Sequence, residues 1–215
     1  MAGIHRRQFL QAAGIAAGAA AVTCAGLGYA AVRPPSIETE FFEGTAEAGD
    51  NGMNRILIAY ASRLGSTGDV ARALAEELTG RGFRVDVKRV GDAADVSPYG
   101  SVLVGSAVRM GRWLPEAVQF LEAQAGPLAE KPVSYFSVCM TMAEDTPGNR
   151  AAAKGITAAA HAVREPDAEE FFAGRMEYGR VSFVEQMILR AKKTPEGDFR
   201  NWDSIRAWAR QVPAG

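Results

Sequence analysis

The sequence predicts an α/β domain built on a doubly wound, five-stranded parallel sheet with helices on both faces. From Arg55 onward, short apolar runs alternate with segments of helical periodicity. The first of these runs is continuous, as expected for a parallel strand that is buried on both faces. The chain has 215 residues, of which 47% are hydrophobic, so it can bury a sizeable core and still carry a tail.

The elements alternate in order along the chain. The first strand spans residues 56–60, and residues 66–79 follow as a helix with apolar side chains on one face. Residues 84–88 alternate apolar and polar side chains, which predicts an edge strand. The remaining elements are a third strand at 101–105, a helix opened by Pro115, a fourth strand at 133–138, an Ala-rich helix at 149–163, a fifth strand at 170–174 and a closing helix at 202–212. Helical crossovers and a short second strand suit the strand order 2-1-3-4-5.

The amino-terminal segment, residues 1–33, has the features of a targeting signal. Arg6-Arg7-Gln8-Phe9-Leu10 is followed by an Ala- and Gly-rich stretch with no charge before Arg33. The string resembles the twin-arginine (Tat) export signal. We therefore expect export by Tat, to the periplasm or to an anchored position on the outer side of the inner membrane. The alternative is a permanent anchor, because the uncharged stretch exceeds the roughly 20 residues that span a bilayer.

Charge and composition limit the partners and the kinds of site that the rest of the chain can have. Residues 34–54 are acidic and contain Pro and Gly, which predicts a flexible linker before a domain at 55–215. The net charge of −1 gives no general attraction for nucleic acid, so no nucleic-acid partner is expected. Cys24 lies in the signal, which leaves only Cys139 in the domain and too few cysteines for a zinc cluster.

A loop with hydroxyl side chains follows the first strand. In sheets of this type, ligands bind at the carboxyl ends of the strands beside the point where the strand order reverses. Backbone N–H groups and hydroxyls at the start of a helix bind anions, and a glycine lets the backbone approach a phosphate closely. The alternative is an ordinary capped turn, since serine and threonine cap helices in any case. The candidate residues are Ser62, Arg63, Leu64, Gly65, Ser66 and Thr67.

Beyond this spacing, the segment from Ile58 to Thr67 resembles the phosphate loop of flavodoxins. The segment Val104-Gly105-Ser106-Ala107-Val108-Arg109-Met110-Gly111-Arg112-Trp113 is similar to the second flavin loop of the menaquinone-dependent protoporphyrinogen oxidase family. Phe136-Ser137-Val138 and Asp198-Phe199-Arg200-Asn201-Trp202 match further parts of that family, and the likeness covers about residues 55–212. The Tyr that many flavodoxins carry after strand four is missing here, as it is in the oxidase family.

The resemblance implies a flavodoxin-like fold and an FMN cofactor bound by three loops. The first loop, Ser62 to Thr67, would hold the phosphate. Two further loops would line the two sides of the isoalloxazine. The second loop comprises Ser106, Ala107, Val108, Arg109, Met110 and Gly111, and the third comprises Ser137, Val138, Cys139, Met140 and Thr141.

Three of the nearby side chains have alternative roles. Arg109 is expected beside the flavin pyrimidine edge, where a cation would stabilise the anionic reduced form, or else in a surface salt bridge. Trp113 is expected to pack under the following helix rather than to stack on the flavin. Cys139 is expected to be a small buried residue rather than a redox thiol.

The segment 180–193, before the last helix, combines an apolar stripe with Arg190, Lys192 and Lys193. The oxidase family carries a basic, apolar insertion here, which the resemblance links to the membrane surface and to quinone reduction. Packing onto the sheet is the favoured alternative.

The resemblance thus implies an FMN-binding oxidoreductase whose partner is a quinone or another redox partner. One alternative is an exported flavodoxin that acts as a non-enzymatic electron shuttle. The other is a degenerate binding domain without flavin.

Overall fold

The structure, a computed structural model, describes residues 43–46 and 55–213. The chain divides into two units. One runs from Glu38 to Met176 and from Pro195 to Gly215, and the other includes residues 177–194. The predicted signal at 1–33 and most of the predicted linker at 34–54 lie outside the described residues.

The larger unit contains a seven-stranded sheet, made of β1 (Gly44–Ala46), β2 (Arg55–Ala61), β3 (Arg84–Arg89), β4 (Ser101–Arg109), β5 (Arg112–Trp113), β6 (Val133–Val138) and β7 (Ala168–Phe172), while β8 (Arg175–Met176) and β9 (Gly197–Asp198) form a separate antiparallel ribbon. The main path of the sheet runs β1-β3-β2-β4-β6-β7, and β5 pairs with β4. From β3 to β7 the neighbouring strands are parallel. The predicted order 2-1-3-4-5 is therefore confirmed as the centre of the sheet.

Helices cover both faces of the sheet, as predicted. Successive residues of β2 point to opposite faces, so Ile56 and Ile58 enter one core and Leu57 and Ala59 enter the other. The helices of this unit are α1 (Ser66–Gly80), α2 (Pro115–Ala123), α3 (Ala125–Leu128), α4 (Pro147–Lys154), α5 (Ala158–Val163) and α7 (Trp202–Gln211). The first core includes α1 and α7, and the second includes α2 to α5.

The structure corrects three of the predicted elements. Gly44–Ala46, inside the predicted linker, forms a strand that pairs antiparallel with β3, so residues 84–88 are not an edge strand. The sheet has seven strands rather than five, because β1 and β5 add to it. The single helix expected at 149–163 is two helices, with Gly155 as the C-cap of α4 and Thr157 as the N-cap of α5.

Strand β1 is held by a buried carboxylate on β3. Asp86 is 2% exposed and accepts hydrogen bonds from Thr45 Oγ1 at 2.7 Å, from Tyr99 Oη at 2.8 Å and from two nitrogens of Arg55 at 2.6 and 3.0 Å. Burial by itself would raise the pKa of Asp86, but these hydrogen bonds outweigh it and hold the pKa below its ordinary value. The carboxylate therefore links the starts of β2 and β4 to the extra strand.

Residues 177–194 form a short helical segment of their own. A 3₁₀ turn at Tyr178–Arg180 precedes helix α6 (Phe183–Ala191), whose start carries a capping box between Ser182 and Glu185. None of the helices within residues 43–46 and 55–213 combines the length and apolar character needed to cross a membrane.

Candidate functional site

The three predicted loops begin at neighbouring positions of the sheet. In register, Ala61 of β2 pairs with Ser106 of β4, and Ser106 pairs with Ser137 of β6. Adjacent strands lie about 4.8 Å apart. The carboxyl ends of these three strands therefore bring the three loops to one edge of the sheet, where ligands of doubly wound sheets bind.

The first loop is a tight, internally bonded turn. Gly65 lies in the left-handed region at φ 91°, and its N–H donates to Ser62 Oγ at 3.0 Å. The carbonyl of Gly65 accepts the first hydrogen bond of α1 from the N–H of Asp69. A non-glycine residue at this φ would be strained, so Gly65 is required by the turn itself. The exposed Arg63 reaches toward Glu116, with 3.9 Å between Nε and Oε1.

Thr67 carries a hydroxyl that the described protein leaves unsatisfied. The residue is fully buried in the first turn of α1, and its Oγ1 has no hydrogen-bond partner there. A buried hydroxyl without a partner costs about 1–3 kcal/mol. Its position at a helix start, beside N–H groups that have no acceptor within the helix, fits an anionic group such as a phosphate.

The second loop is a hairpin of two residues between β4 and β5. Met110 and Gly111 both have positive φ, at 54° and 76°, and the strands pair through Arg109 and Arg112. Two positive φ angles are typical of the type I′ turn that connects twisted strands tightly. Ala107 and Val108 are half-buried, whereas Arg109, Met110 and Gly111 are exposed at the tip. The second loop is thus a tight two-residue hairpin at the carboxyl end of β4.

Two predicted site serines use their side chains inside the protein. Ser106 Oγ donates to the carbonyl of Ala107 at 2.8 Å and accepts from the N–H of Leu114 at 3.0 Å, which fixes the return of the hairpin. Ser137 Oγ accepts from Trp113 Nε1 at 2.7 Å. Both serines are fully buried. Their hydroxyls therefore position the second and third loops, and the sequence alone did not indicate this role.

Trp113 is packed in the core, as expected. It is 3% exposed, and its ring lies 5.0 Å from that of Tyr135, centroid to centroid. The tilted geometry is one that aromatic pairs favour.

The third loop begins at a buried thiol. The N–H of Cys139 donates to the carbonyl of Phe172, and a 3₁₀ turn follows at Met140–Ala143. Cys139 is 4% exposed, and burial raises the pKa of its thiol above the ordinary value. A neutral thiol is a small apolar group, which agrees with the expected packing role. Met140 and Thr141 are half-buried beside it, and Val138 is buried.

Two glycines around the first loop permit close packing, and neither was identified from the sequence. A Cβ on Gly174, which follows β7, would lie 3.1 Å from Val138 Cγ1 and 3.6 Å from Ser66 Oγ. A Cβ on Gly68 in α1 would lie 2.9 Å from Tyr60 Oη. The close approach lets α1 settle on β2 and lets the chain after β7 reach the start of α1. Glycine at a strand end was the available signal.

An arginine ties the start of α1 to the start of α7. Arg200 Nη1 lies 2.6 Å from Asp69 Oδ2, while Nε and Nη2 lie 2.7 and 2.5 Å from the two oxygens of Asp198. The guanidinium stacks 4.5 Å above the ring of Trp202, and the side chain is 6% exposed. Hydrogen bonds with Asp198 and Asp69 raise the pKa of Arg200, although burial opposes the shift, and the hydrogen bond from Arg200 lowers the pKa of Asp198.

The site offers the N–H groups and the Thr67 hydroxyl at the start of α1, together with half-buried apolar side chains on the second and third loops. Within residues 43–46 and 55–213, no cluster of three His, Cys, Asp or Glu side chains is arranged to hold a metal ion. The start of α1 can bind an anion.

The chain is similar to several known proteins. Protoporphyrinogen IX dehydrogenase [quinone] of Escherichia coli (strain K12) is 22% identical over 172 residues, which are 74% of this chain and 94% of that protein. The protein of the same name from Leishmania major is 25% identical, over 74% of this chain and 75% of its own. The structure of oxidised Flavodoxin 2 from Bacillus cereus has a TM-score of 0.40 and 23% identity, and the match covers 65% of this chain and 99% of that one.

The family comparison covers most of the larger unit. Residues 57–202 match the Flavodoxin domain family, and this range contains all three loops, from Ser62 to Thr141. The chain therefore belongs to the flavodoxin domain family.

Proposed function

We propose that this protein binds FMN at the three loops and acts as an oxidoreductase that passes electrons from a small reduced substrate to a quinone. The observation that carries the proposal is the buried, unpartnered Oγ1 of Thr67 at the start of α1. The curated relatives named above are quinone-dependent dehydrogenases, and they support the choice of acceptor.

The first loop would hold the phosphate. Thr67 would donate its hydroxyl proton to a phosphate oxygen, and N–H groups of the first turn of α1 would donate in the same direction. The left-handed Gly65 keeps the backbone close enough for these contacts. The bound phosphate would then satisfy the one buried hydroxyl that the loop leaves unsatisfied.

The second and third loops would hold the isoalloxazine. When bound, FMN supplies the capacity to accept electrons from one partner and to release them to another. Val108 and the buried Cys139 would exclude water from the ring, and Arg109 at the hairpin would favour negative charge on it. The described loops give no aromatic sandwich: in place of aromatic rings they carry Val108, Met110 and Met140.

A membrane-facing role for residues 177–194 fits a quinone acceptor. Four apolar side chains of α6 are exposed: Phe183 at 61%, Val184 at 41%, Met187 at 59% and Ile188 at 39%. Arg190, Lys192 and Lys193 follow them in sequence, and these cations suit an anionic lipid surface. We propose that α6 lies in the membrane interface, where quinones are available.

We further propose that the protein is exported by the Tat route. The support is Arg6-Arg7-Gln8-Phe9-Leu10 and the uncharged stretch after it. This route carries folded proteins, so FMN would be bound in the cytoplasm before export.

The proposal is tested first by the visible spectrum of the purified full chain and by titration of its apoprotein with FMN. We expect flavin absorbance and saturable binding. Thr67→Ala should weaken FMN binding about tenfold, because it removes a hydrogen bond to a charged group, while riboflavin binding should not change. The matched control is Thr79→Ala, at the other end of α1, whose Oγ1 is also buried without a partner in the described chain. Full FMN affinity in Thr67→Ala would show that the phosphate is bound elsewhere.

Turnover separates the proposed enzyme from a carrier. Quinone reduction by the FMN-loaded protein with a small reduced donor supports the oxidoreductase. Reversible reduction without turnover would favour the electron shuttle, and a protein that takes up no FMN would be a binding domain of another kind.

A further inference from the structure

We propose that Arg200 is a positioning residue that makes the first loop selective for a phosphorylated flavin, because it neutralises Asp69 at the start of α1. This inference rests on the proposed binding of FMN and deepens it. Arg200 lies in the chain 133 residues after Thr67, outside all three loops.

The carboxylate of Asp69 is a poor neighbour for a phosphate. Asp69 lies in the first turn of α1, and its N–H closes the first hydrogen bond of that helix on Gly65. A negative side chain there competes with a bound dianion for the positive end of the helix dipole, and it repels the dianion directly. A loop that binds phosphate therefore needs this charge to be compensated.

Arg200 supplies the compensation from a fixed geometry. Its Nε and Nη2 are held by Asp198, and its Nη1 extends to Asp69 Oδ2 at 2.6 Å. Stacking on Trp202 and the low exposure of the side chain restrict its movement. The guanidinium is thus held in place just before α7, and its Nη1 is directed to the Asp69 carboxylate on α1.

The arrangement also orients α1. The Asp69 carboxylate cannot turn toward the phosphate loop while it is paired with Arg200. The pair fixes the first turn of α1 relative to β9 and α7, so that the N–H groups of the turn keep one direction. Both effects act on the phosphate and not on the isoalloxazine.

The ratio of riboflavin to FMN dissociation constants isolates the phosphate, because riboflavin lacks only that group. Arg200→Met should lower this ratio about tenfold, since it leaves Asp69 uncompensated. Asp69→Asn should raise the ratio about threefold, since Arg200 then leaves excess positive charge near the loop. The expected change is the smaller of the two because Asp69 is partly exposed, so solvent screens its charge. The double variant should return the ratio to within about threefold of the wild type.

A purely structural role predicts something else. If Arg200 only holds α1 against α7, Arg200→Met weakens the binding of FMN and of riboflavin equally. Asp69→Asn then does the same, and the double variant does not recover the wild-type affinities. Either an unchanged ratio or a missing rescue overturns the proposal.

The controls separate this proposal from the proposed function. If the wild type binds no FMN, the proposed function fails and this inference fails with it. If the wild type binds FMN and the ratios do not move, only this inference fails. Should Arg200→Met not fold, Asp69→Asn decides: a raised ratio supports the proposal, whereas an unchanged or lowered ratio overturns it.

Discussion

At the scale of single residues, the hydroxyls of the three loops divide into two groups. Ser106 and Ser137 form hydrogen bonds with other groups of the protein, whereas the Thr67 hydroxyl is buried without a partner among the described residues. The sequence predicted Thr67 as a site residue because it lies in the loop between the first strand and the first helix, and the family resemblance implied Ser106 and Ser137. It could not distinguish them, since the direction of a side chain at a strand end depends on the register and on which partner arrives from a distant element.

The bond between Trp113 and Ser137 predicts a measurable coupling. Ser137→Ala leaves the buried indole N–H unpaired and should lower the free energy of unfolding by about 1–3 kcal/mol. After Trp113→Phe the same substitution should cost much less, because no donor remains. Urea unfolding of the four proteins measures this.

Ser134→Ala is the matched control for Ser137→Ala. Ser134 lies on the same strand, is 1% exposed, and its Oγ has no hydrogen-bond partner among the described residues. Its removal should be close to neutral. An equal loss of stability in both serine variants would mean that the Trp113 bond contributes nothing beyond packing.

At the scale of elements, the parallel strands were readable from the sequence and β1 was not. The runs that became β2, β4 and β6 are mainly apolar because both faces of each are largely buried. Gly44–Ala46 has no such signal: it is a three-residue edge strand of small and polar residues, and its pairing depends on Thr45 meeting Asp86. The break between α4 and α5 was missed because its Ala-rich flanks continue the helical pattern on both sides of Gly155.

Strand β1 should therefore depend on pH through Asp86. The pKa of Asp86 in the folded protein is lowered below its ordinary value of 3.8, so its contribution is complete above that value and is lost as the pH falls through the folded pKa. Asp86→Asn should destabilise the protein by about 2–4 kcal/mol at pH 7. The difference from the wild type should begin to shrink as the pH falls below 3.8, where the carboxylate of the unfolded chain takes up its proton, and it should be lost as the pH falls through the folded pKa.

Chemical denaturation at several pH values measures this difference, and hydrogen exchange of residues 44–46 should rise in the variant. Asp92→Asn, an exposed carboxylate on the loop after β3, is the control and should change neither quantity. A difference that does not vary with pH would show that Asp86 acts through shape rather than charge.

The exposed apolar side chains of α6 should affect membrane binding and not the stability of the fold. Phe183→Ser with Met187→Ser should reduce binding to vesicles of phosphatidylethanolamine and phosphatidylglycerol at least tenfold, since about 1.5–3 kcal/mol accompanies burial of each large apolar side chain. The unfolding midpoint should not move, because both side chains are already exposed.

Co-sedimentation measures the vesicle binding. Lys192→Gln with Lys193→Gln provides the comparison: it should weaken binding to these anionic vesicles and leave binding to uncharged vesicles unchanged. If the wild type binds neither anionic nor uncharged vesicles, the proposed membrane contact is wrong.

At the scale of the whole molecule, the proposed phosphate loop and the proposed export signal constrain each other. Thr67 has no exposed surface, so a cofactor phosphate would be enclosed once the domain has folded. Export before folding would deliver a chain without FMN, and the cofactor would then have to be present outside the cytoplasm. Export after folding would deliver the loaded protein, which is what a twin-arginine signal permits.

Arg6→Lys with Arg7→Lys should therefore abolish export and leave FMN-loaded protein in the cytoplasm. Lysine keeps the charge but not the planar fork of donors, and so it does not replace a recognised arginine pair. Fractionation of a Gram-negative host, with flavin content measured in each fraction, gives the readout. Arg33→Lys is the control, because it makes the same change outside the motif and should export normally. Two results would contradict this prediction. In one, the wild-type protein reaches the periplasm without FMN; in the other, the double-lysine variant is exported as well as the wild type.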